Sequence, residues 1–289
     1  MMPARSPIAG ARALSTAAVA GVARMAGWQR ALDWANRPVM ALSDMQPVTA
    51  NWWRGRRKQS GRFHYLALGD STGQGIGASV PGRSYVGQLA DRIEAELGEP
   101  IRVTNLCVSG ATSFLCARDQ LPKAVEPLRE APDLVTLDIG ANDIAEWDPV
   151  AYHRNLSRIL DALPGHTVLG EVPCFHLPWN DRKVHEANAI LRRVAEARGL
   201  AVVPIYKATR ARGLRGILTE FAEDAFHPND RGYEIWADTF WPAVAVRVAA
   251  ARAASAIPGI APDDSDAPAE AGDPSGPSAA APEQLERSA

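Results

Sequence analysis

Through the middle of the chain, short apolar runs alternate with longer stretches in which apolar residues return every three or four positions. Phe63–Gly69 (FHYLALG) is an apolar run of strand length. Ser84–Leu97 follows it with Tyr85, Leu89, Ile93 and Leu97 four apart, the spacing of one helix face. The alternation then repeats. A strand is expected over Ile101–Leu106, a helix over Leu115–Leu128 disturbed by Pro122 and Pro127, and a strand over Asp133–Ile139. A helix follows over Pro149–Leu163, with Tyr152, Leu156, Ile159 and Leu163 on one side, and then a strand over Thr167–Gly170. Arg182–Arg198 is a helix with Val184, Ala187, Leu191 and Val194 facing inward, and Ala201–Pro204 is a short strand. A last helix runs from Asn229, bent or broken near Pro242. Such alternation implies right-handed crossovers and a parallel sheet covered by helices on both faces. Ligands of these sheets bind beyond the carboxyl ends of the strands, so the chemistry belongs in the loops that follow them.

Both ends of the chain break the pattern. From Ile257 the sequence is rich in Pro, Ala, Ser, Gly and acids, seven of them against Arg287, and cannot bury enough apolar surface to order itself. Residues 1–60 hold nine basic side chains against two acidic ones. Within them Leu14, Val22, Met25, Trp28 and Leu32 share one helical face, with Arg12, Arg30 and Arg37 on the other side and Pro38 ending the run. That describes a basic amphipathic helix, either packed on the domain or laid on an anionic membrane surface. The expected organisation is a basic extension over 1–60, a core domain over 61–256 and a disordered acidic tail over 257–289.

Other bulk features mainly exclude. A net charge of −2 over 289 residues points to no nucleic-acid partner. Cys107, Cys116 and Cys174 are too few and too scattered for a disulfide framework and form no CxxC pair, so no metal site is expected. They are read as three thiols, with a Cys107–Cys116 bridge left open. No apolar run reaches the length of a membrane span. Ala13–Ala23, after Arg5 and Arg12, has the outline of a poor signal peptide. The expectation is a cytoplasmic protein, with secretion and membrane association as the alternatives.

Four strand ends carry residues capable of chemistry. The first ends in Gly69-Asp70-Ser71-Thr72-Gly73, and the second leads to Ser109-Gly110-Ala111. The third ends in Gly140-Ala141-Asn142-Asp143, and the last strand is followed by Asp224-Ala225-Phe226-His227-Pro228. A serine hydroxyl becomes a useful nucleophile only when a base takes its proton, and a histidine can do so. Asp224 stands three residues before His227, close enough for one turn to bring its carboxylate to the imidazole. Pro228 stiffens that turn. The bland alternative is a helix cap beside a surface histidine. His176, in the loop Pro173–Asp181 with Phe175 and Trp179, is a candidate for lining a substrate pocket, whereas Ser109 and Ser113 are read as loop polar groups.

Taken together, GDS at Gly69–Ser71, the glycine at Gly110, GxND at Gly140–Asp143 and DxxH at Asp224–His227 resemble the sequence blocks of the SGNH (GDSL-type) hydrolases. The resemblance spans about Phe63 to Trp241, with the blocks in order. It implies a flavodoxin-like three-layer α/β/α sandwich with a central parallel sheet, and a serine esterase or lipase working through an acyl-enzyme. Ser71 is then the nucleophile, His227 the base and Asp224 its partner. The oxyanion hole is formed by the N–H groups of Ser71 and Gly110 and the amide of Asn142. No cofactor is implied, and the partner is a small-molecule ester. Thioesterases and deacetylases belong to the same family, so the substrate stays open, as does the oligomeric state.

Three other readings compete. Gly69–Gly73 also fits GxSxG, the nucleophile elbow of α/β-hydrolases, but that elbow follows a mid-sheet strand with an HGG-type loop upstream, and no such loop precedes Ser71. Gly73-Gln74-Gly75-Ile76-Gly77-Ala78 fits the GxGxxA of a dinucleotide binder, but Pro81 and Gly82 delay the helix and no acid ends the second strand. The third is a non-catalytic binding module on the same fold, which a complete catalytic set argues against.

Overall fold

The computed structural model describes residues 46–176 and 178–255. The amphipathic face from Leu14 to Leu32, the signal-like stretch and the acidic tail lie outside the described residues. The described residues open with helix α1 (Gln46–Arg57), then strand β1 (His64–Gly69), a single turn α2 (Ser71–Gln74), helix α3 (Tyr85–Leu97) and strand β2 (Arg102–Asn105). A helical turn at Ser113–Leu115 and a π-helical turn at Cys116–Gln120 lead into α4 (Leu121–Arg129). Next come β3 (Leu134–Asp138), α5 (Pro149–Ala162), β4 (Thr167–Gly170), α6 (Pro178–Glu196) and β5 (Ala201–Val203). Two short helices, α7 (Ile205–Arg210) and α8 (Gly213–Thr219), precede the long α9 (Asp230–Ser255). Pro242 lies inside α9 and does not break it. Pro122 falls in the first turn of α4, where a missing N–H costs nothing.

The five strands are all parallel in the order β2-β1-β3-β4-β5, the expected flavodoxin-like arrangement. Residue alternation along each strand feeds two apolar layers. Leu66, Leu68, Val135, Leu137 and Leu169 face α5 and α6, with Tyr152, Leu156, Ile159, Val184 and Leu191. Tyr65, Ala67, Val103 and Val168 face α3 and α9, with Tyr85, Leu89, Ile93, Tyr233, Trp236 and Phe240. The chain reverses its direction of travel across the sheet between β1 and β3. The carboxyl ends of these two neighbours therefore form the crevice where such folds bind ligands.

Helix α1 was not apparent from the apolar pattern, because its segment is strongly basic and only two of its side chains, Thr49 and Trp53, are buried. Trp53 joins the layer of α3 and α9, and its indole N–H donates to the Gln74 carbonyl (2.9 Å) at the end of α2. A boundary at residue 60 thus does not separate this helix from the core. All three cysteines are free and buried. Among the described residues no helix is long and apolar enough to cross a membrane.

At the start of β1 the buried His64 places Nε2 2.9 Å from Thr104 Oγ1. Burial, helped by Arg102, lowers its pKa to about 4. As pH falls, the unfolded chain takes up this proton first, near its ordinary value of about 6.5. The contribution to stability is complete above that value and is lost between there and about 4. Thermal melts from pH 7 to pH 4 should show a steeper fall in Tm for the wild type than for His64→Gln. The gap should be worth at most about 3 kcal/mol. Parallel falls would assign the acid sensitivity to other groups.

Candidate active site

The turn at the end of β1 is rigidly built. Gly69 lies beyond the end of β2, and the Gln120 side chain takes the place of the missing strand partner. Its Oε1 accepts from Gly69 N–H (3.0 Å) and its Nε2 donates to the Gly69 carbonyl (2.7 Å). Asp70 caps α2, its Oδ1 accepting from the Thr72 N–H (2.9 Å) and the Thr72 hydroxyl (2.7 Å). Ser71 is thereby fixed as the first residue of α2 and is nearly buried, 3% exposed.

The loop before α9 brings the base. Asp224 Oδ1 accepts the N–H groups of Phe226 and His227, both at 3.0 Å, and closes a tight turn in which Ala225 has a φ of 53°. Its Oδ2 accepts His227 Nδ1–H at 2.6 Å. With that proton committed, His227 Nε2 accepts the Ser71 hydroxyl at 2.8 Å. Partial burial opposes ionisation of Asp224, but the His227 side chain and the two backbone N–H groups outweigh it and hold the carboxyl below the usual range. An ionised Asp224 is the form that orients the imidazole. The Gly73–Gly77 run packs against this loop. A Cβ at Gly77 (φ 94°) would lie 2.5 Å from the Pro228 carbonyl and 2.9 Å from His227 Cβ. Gly77 is required for that close approach, while Gly73 and Gly75 make room for Cys107 and Ser84, so packing accounts for the run without a dinucleotide.

The other side of the site joins two loops. Asp143 accepts from the Ser113 N–H (2.8 Å) and hydroxyl (2.5 Å), and Asn142 Nδ2 donates to the Ala111 carbonyl (3.0 Å). These bonds pin the β2 loop to the β3 loop, and with it Gly110, whose φ of 74° favours glycine. Neither the Ser71 nor the Gly110 N–H donates to another group among the described residues. The second amide hydrogen of Asn142 has only a long approach to Asp70 Oδ2, 3.5 Å. Ser71, Asn142 and His227 border one narrow apolar cleft with Phe175 and Phe226. It continues into a cavity of about 280 Å³ between Asn142, Ile144, Phe175, Ile217 and Phe226, which His176 also lines. Phe175 and Phe226 stack at 6.0 Å, and the Phe226 ring stands edge-on to His227. Among the described residues no group of three or more His, Cys, Asp or Glu could hold a metal ion.

Beneath Ser71 lies a feature the sequence reading passed over. Asp138, the last residue of β3, is buried against Asp70, and the Thr72 hydroxyl approaches both, at 3.1 Å from Asp138 Oδ2 and 2.7 Å from Asp70 Oδ1. A hydroxyl has one proton to give, and Asp70 receives it. The Asp138 contact is therefore a hydrogen bond if Asp138 is the donor, as a neutral acid. Burial, followed by the nearby Asp70, pushes the Asp138 carboxyl well above its usual range. An acid closing the apolar run DLVTLDI was the signal available in the sequence.

A parallel α/β sheet that brings Ser, His and Asp together at its strand ends is a setting in which the Ser-His-Asp arrangement of hydrolases occurs. Residues 67–235 match the GDSL-like Lipase/Acylhydrolase family; the chain belongs to that family and is a hydrolase acting on ester bonds. No curated protein matches the sequence. Among solved structures it is similar to TesA, at 23% identity and a TM-score of 0.52 over 64% of this chain and 99% of that one. A lipase/acylhydrolase from Enterococcus faecalis aligns at 23% identity and a TM-score of 0.51, over 64% and 95% of the two chains. LAE5, an alpha/beta hydrolase enzyme from the metagenome of Lake Arreo, Spain, gives 23% and 0.52 over 65% and 98%. At such identities these structures establish the fold.

Asp138→Asn keeps a donor that cannot ionise. In the wild type the unfolded carboxyl loses its proton first as pH rises, so stability drops with pH until the folded carboxyl also ionises. The variant should keep near-wild-type turnover and melt higher at pH 8, by about 2–4 °C for each ~1 kcal/mol recovered. The gap should narrow toward pH 5. A variant that melts lower than wild type at pH 8 would show that Asp138 is ionised in the fold.

Proposed function

We propose that the protein hydrolyses carboxylic esters of small acyl substrates through an acyl-enzyme, with Ser71 as nucleophile, His227 as general base and acid, and Asp224 as the group that orients it. One observation carries this reading: the unbroken hydrogen-bond chain from Ser71 Oγ through the imidazole to Asp224. Ser71 Oγ attacks the ester carbonyl as His227 Nε2 takes its proton. Nδ1 stays bonded to Asp224, whose negative charge stabilises the imidazolium that forms. The oxygen that becomes negative is held by the N–H groups of Ser71 and Gly110 and by the Asn142 amide, donors set in place before reaction. His227 returns the proton to the leaving alcohol. Water, deprotonated by the same nitrogen, then releases the acid and restores Ser71. The acyl group occupies the cleft beside Phe175 and Phe226, whose aromatic lining favours an apolar chain.

Ser71→Ala should lower kcat for p-nitrophenyl butyrate by roughly 10⁴-fold or more with an unchanged melt. Wild-type turnover in that variant would sink the mechanism. Asn142→Ala should lower kcat by roughly 10²–10³-fold and leave KM nearly unchanged, because the oxyanion exists only after attack. A change confined to KM would make Asn142 a substrate-positioning residue instead.

A further inference from the structure

Helix α8 is amphipathic in the wrong sense for a helix packed on a domain. Its buried residue is Gly216, where a Cβ would lie 2.6 Å from Arg212 Cβ, while Leu214, Ile217 and Leu218 are 71%, 44% and 73% exposed. Large aliphatic side chains on the outside and a glycine on the inside reverse the pattern that core packing selects. The exposure continues around the mouth of the 280 Å³ cavity. Ile217 and Phe226 line that cavity, and Phe226 is itself 47% exposed. So does Asn180, and the adjoining Trp179 is 71% exposed. Exposed apolar groups gathered at one place mark a contact surface.

On the α7–α8 side the charge has one sign, whereas the loop that carries Phe226 also holds the exposed Glu223. From Ile205 to Thr219 the chain carries Lys207, Arg210, Arg212 and Arg215 and no acid. Arg210 is paired with Asp181 and Arg212 with the buried Glu220. Lys207 and Arg215 are exposed and make no ion pair among the described residues. Aliphatic side chains and a tryptophan flanked by cations match the chemistry of a surface made of anionic headgroups over acyl chains.

We propose that this rim, formed by Trp179, Leu214, Ile217, Leu218 and Phe226 with Lys207 and Arg215 beside it, seats the protein on an anionic lipid surface. The acyl chain of an ester in that surface then enters the cavity without crossing water. This second part rests on the ester-hydrolase reading above. The surface lies on α6, α8 and the loop before α9.

The test uses the full chain with vesicles of phosphatidylcholine, with and without phosphatidylglycerol, in a sedimentation assay, beside turnover of soluble p-nitrophenyl acetate. The wild type should bind the anionic vesicles, bind the zwitterionic ones less, and release as salt screens the charges. Leu214→Ser/Leu218→Ser removes two side chains that do not line the cavity. It should weaken binding on the order of tenfold or more, while kcat/KM for the soluble ester stays within about twofold. Arg215→Ser should lower the salt sensitivity. A wild type that ignores anionic vesicles at low salt overturns the proposal, as does a double variant that binds like wild type. A wild-type dimer that the double variant converts to monomer would assign the rim to a second copy of this chain and overturn it too. Vesicle binding without turnover of any ester would sink the hydrolase reading and leave the surface contact standing.

Discussion

Ser71 and His227 stand 156 positions apart, and their 2.8 Å contact exists because α9 packs along α3. The two helices share one apolar layer, in which Tyr85 stacks on Phe240 at 5.1 Å. At the head of α9 the join becomes polar. Tyr233 donates its hydroxyl to the Ile76 carbonyl (2.5 Å), and Asp230 accepts from the N–H and hydroxyl of Ser79. Asn229 ties the loop back to the carbonyls of Thr219 and Phe221, both at 3.0 Å. The position of the imidazole is therefore set by a hydrophobic layer and locked by hydrogen bonds at its upper edge. A general base must sit within hydrogen-bond reach of the proton it takes, so an error of 1 Å in this packing would reach the chemistry.

The opposite wall of the site is held differently. There, carboxyl groups do the positioning: Asp70 caps the nucleophile turn, Asp143 clamps the β2 loop, and Asp138 meets Asp70 through Thr72. Burial raises the pKa of all three, the cost of placing carboxyl groups where water is scarce. The arrangement holds because each finds a partner: Thr72 and the backbone for Asp70, Ser113 and the backbone for Asp143, and the Thr72 hydroxyl for Asp138. Among the carboxyls of the site Asp224 is the one held below its usual range, and it bonds the imidazole of His227. Similar side chains thus have their acidity shifted in opposite directions a short distance apart, each by what surrounds it.

Much of this was legible in the chain. The five strands were expected from their apolar runs, and the helices from a return every three or four residues, because both periods are direct consequences of backbone geometry. Ser71, Gly110, Asn142, Asp224 and His227 were singled out because their motifs stand at strand ends, the edge of a parallel sheet where ligands bind. His176 was expected at a pocket and lines one. Helix α1 was hidden because it is anchored by one tryptophan among basic residues, too little to produce a periodic signal.

Local sequence determined which segments become strands and helices, and which short turns can present a serine, an asparagine or an Asp–His pair, since these depend on neighbours a few residues apart. Tertiary structure alone decided that Ser71 meets His227, that Gly77 must be small to let the two loops touch, that Asp138 lies against Asp70, and that α8 turns its leucines outward. Each of these is a contact between segments distant in the chain, where burial and shared hydrogen bonds set a side chain's charge, exposure and reach, and no short stretch of sequence contains both partners.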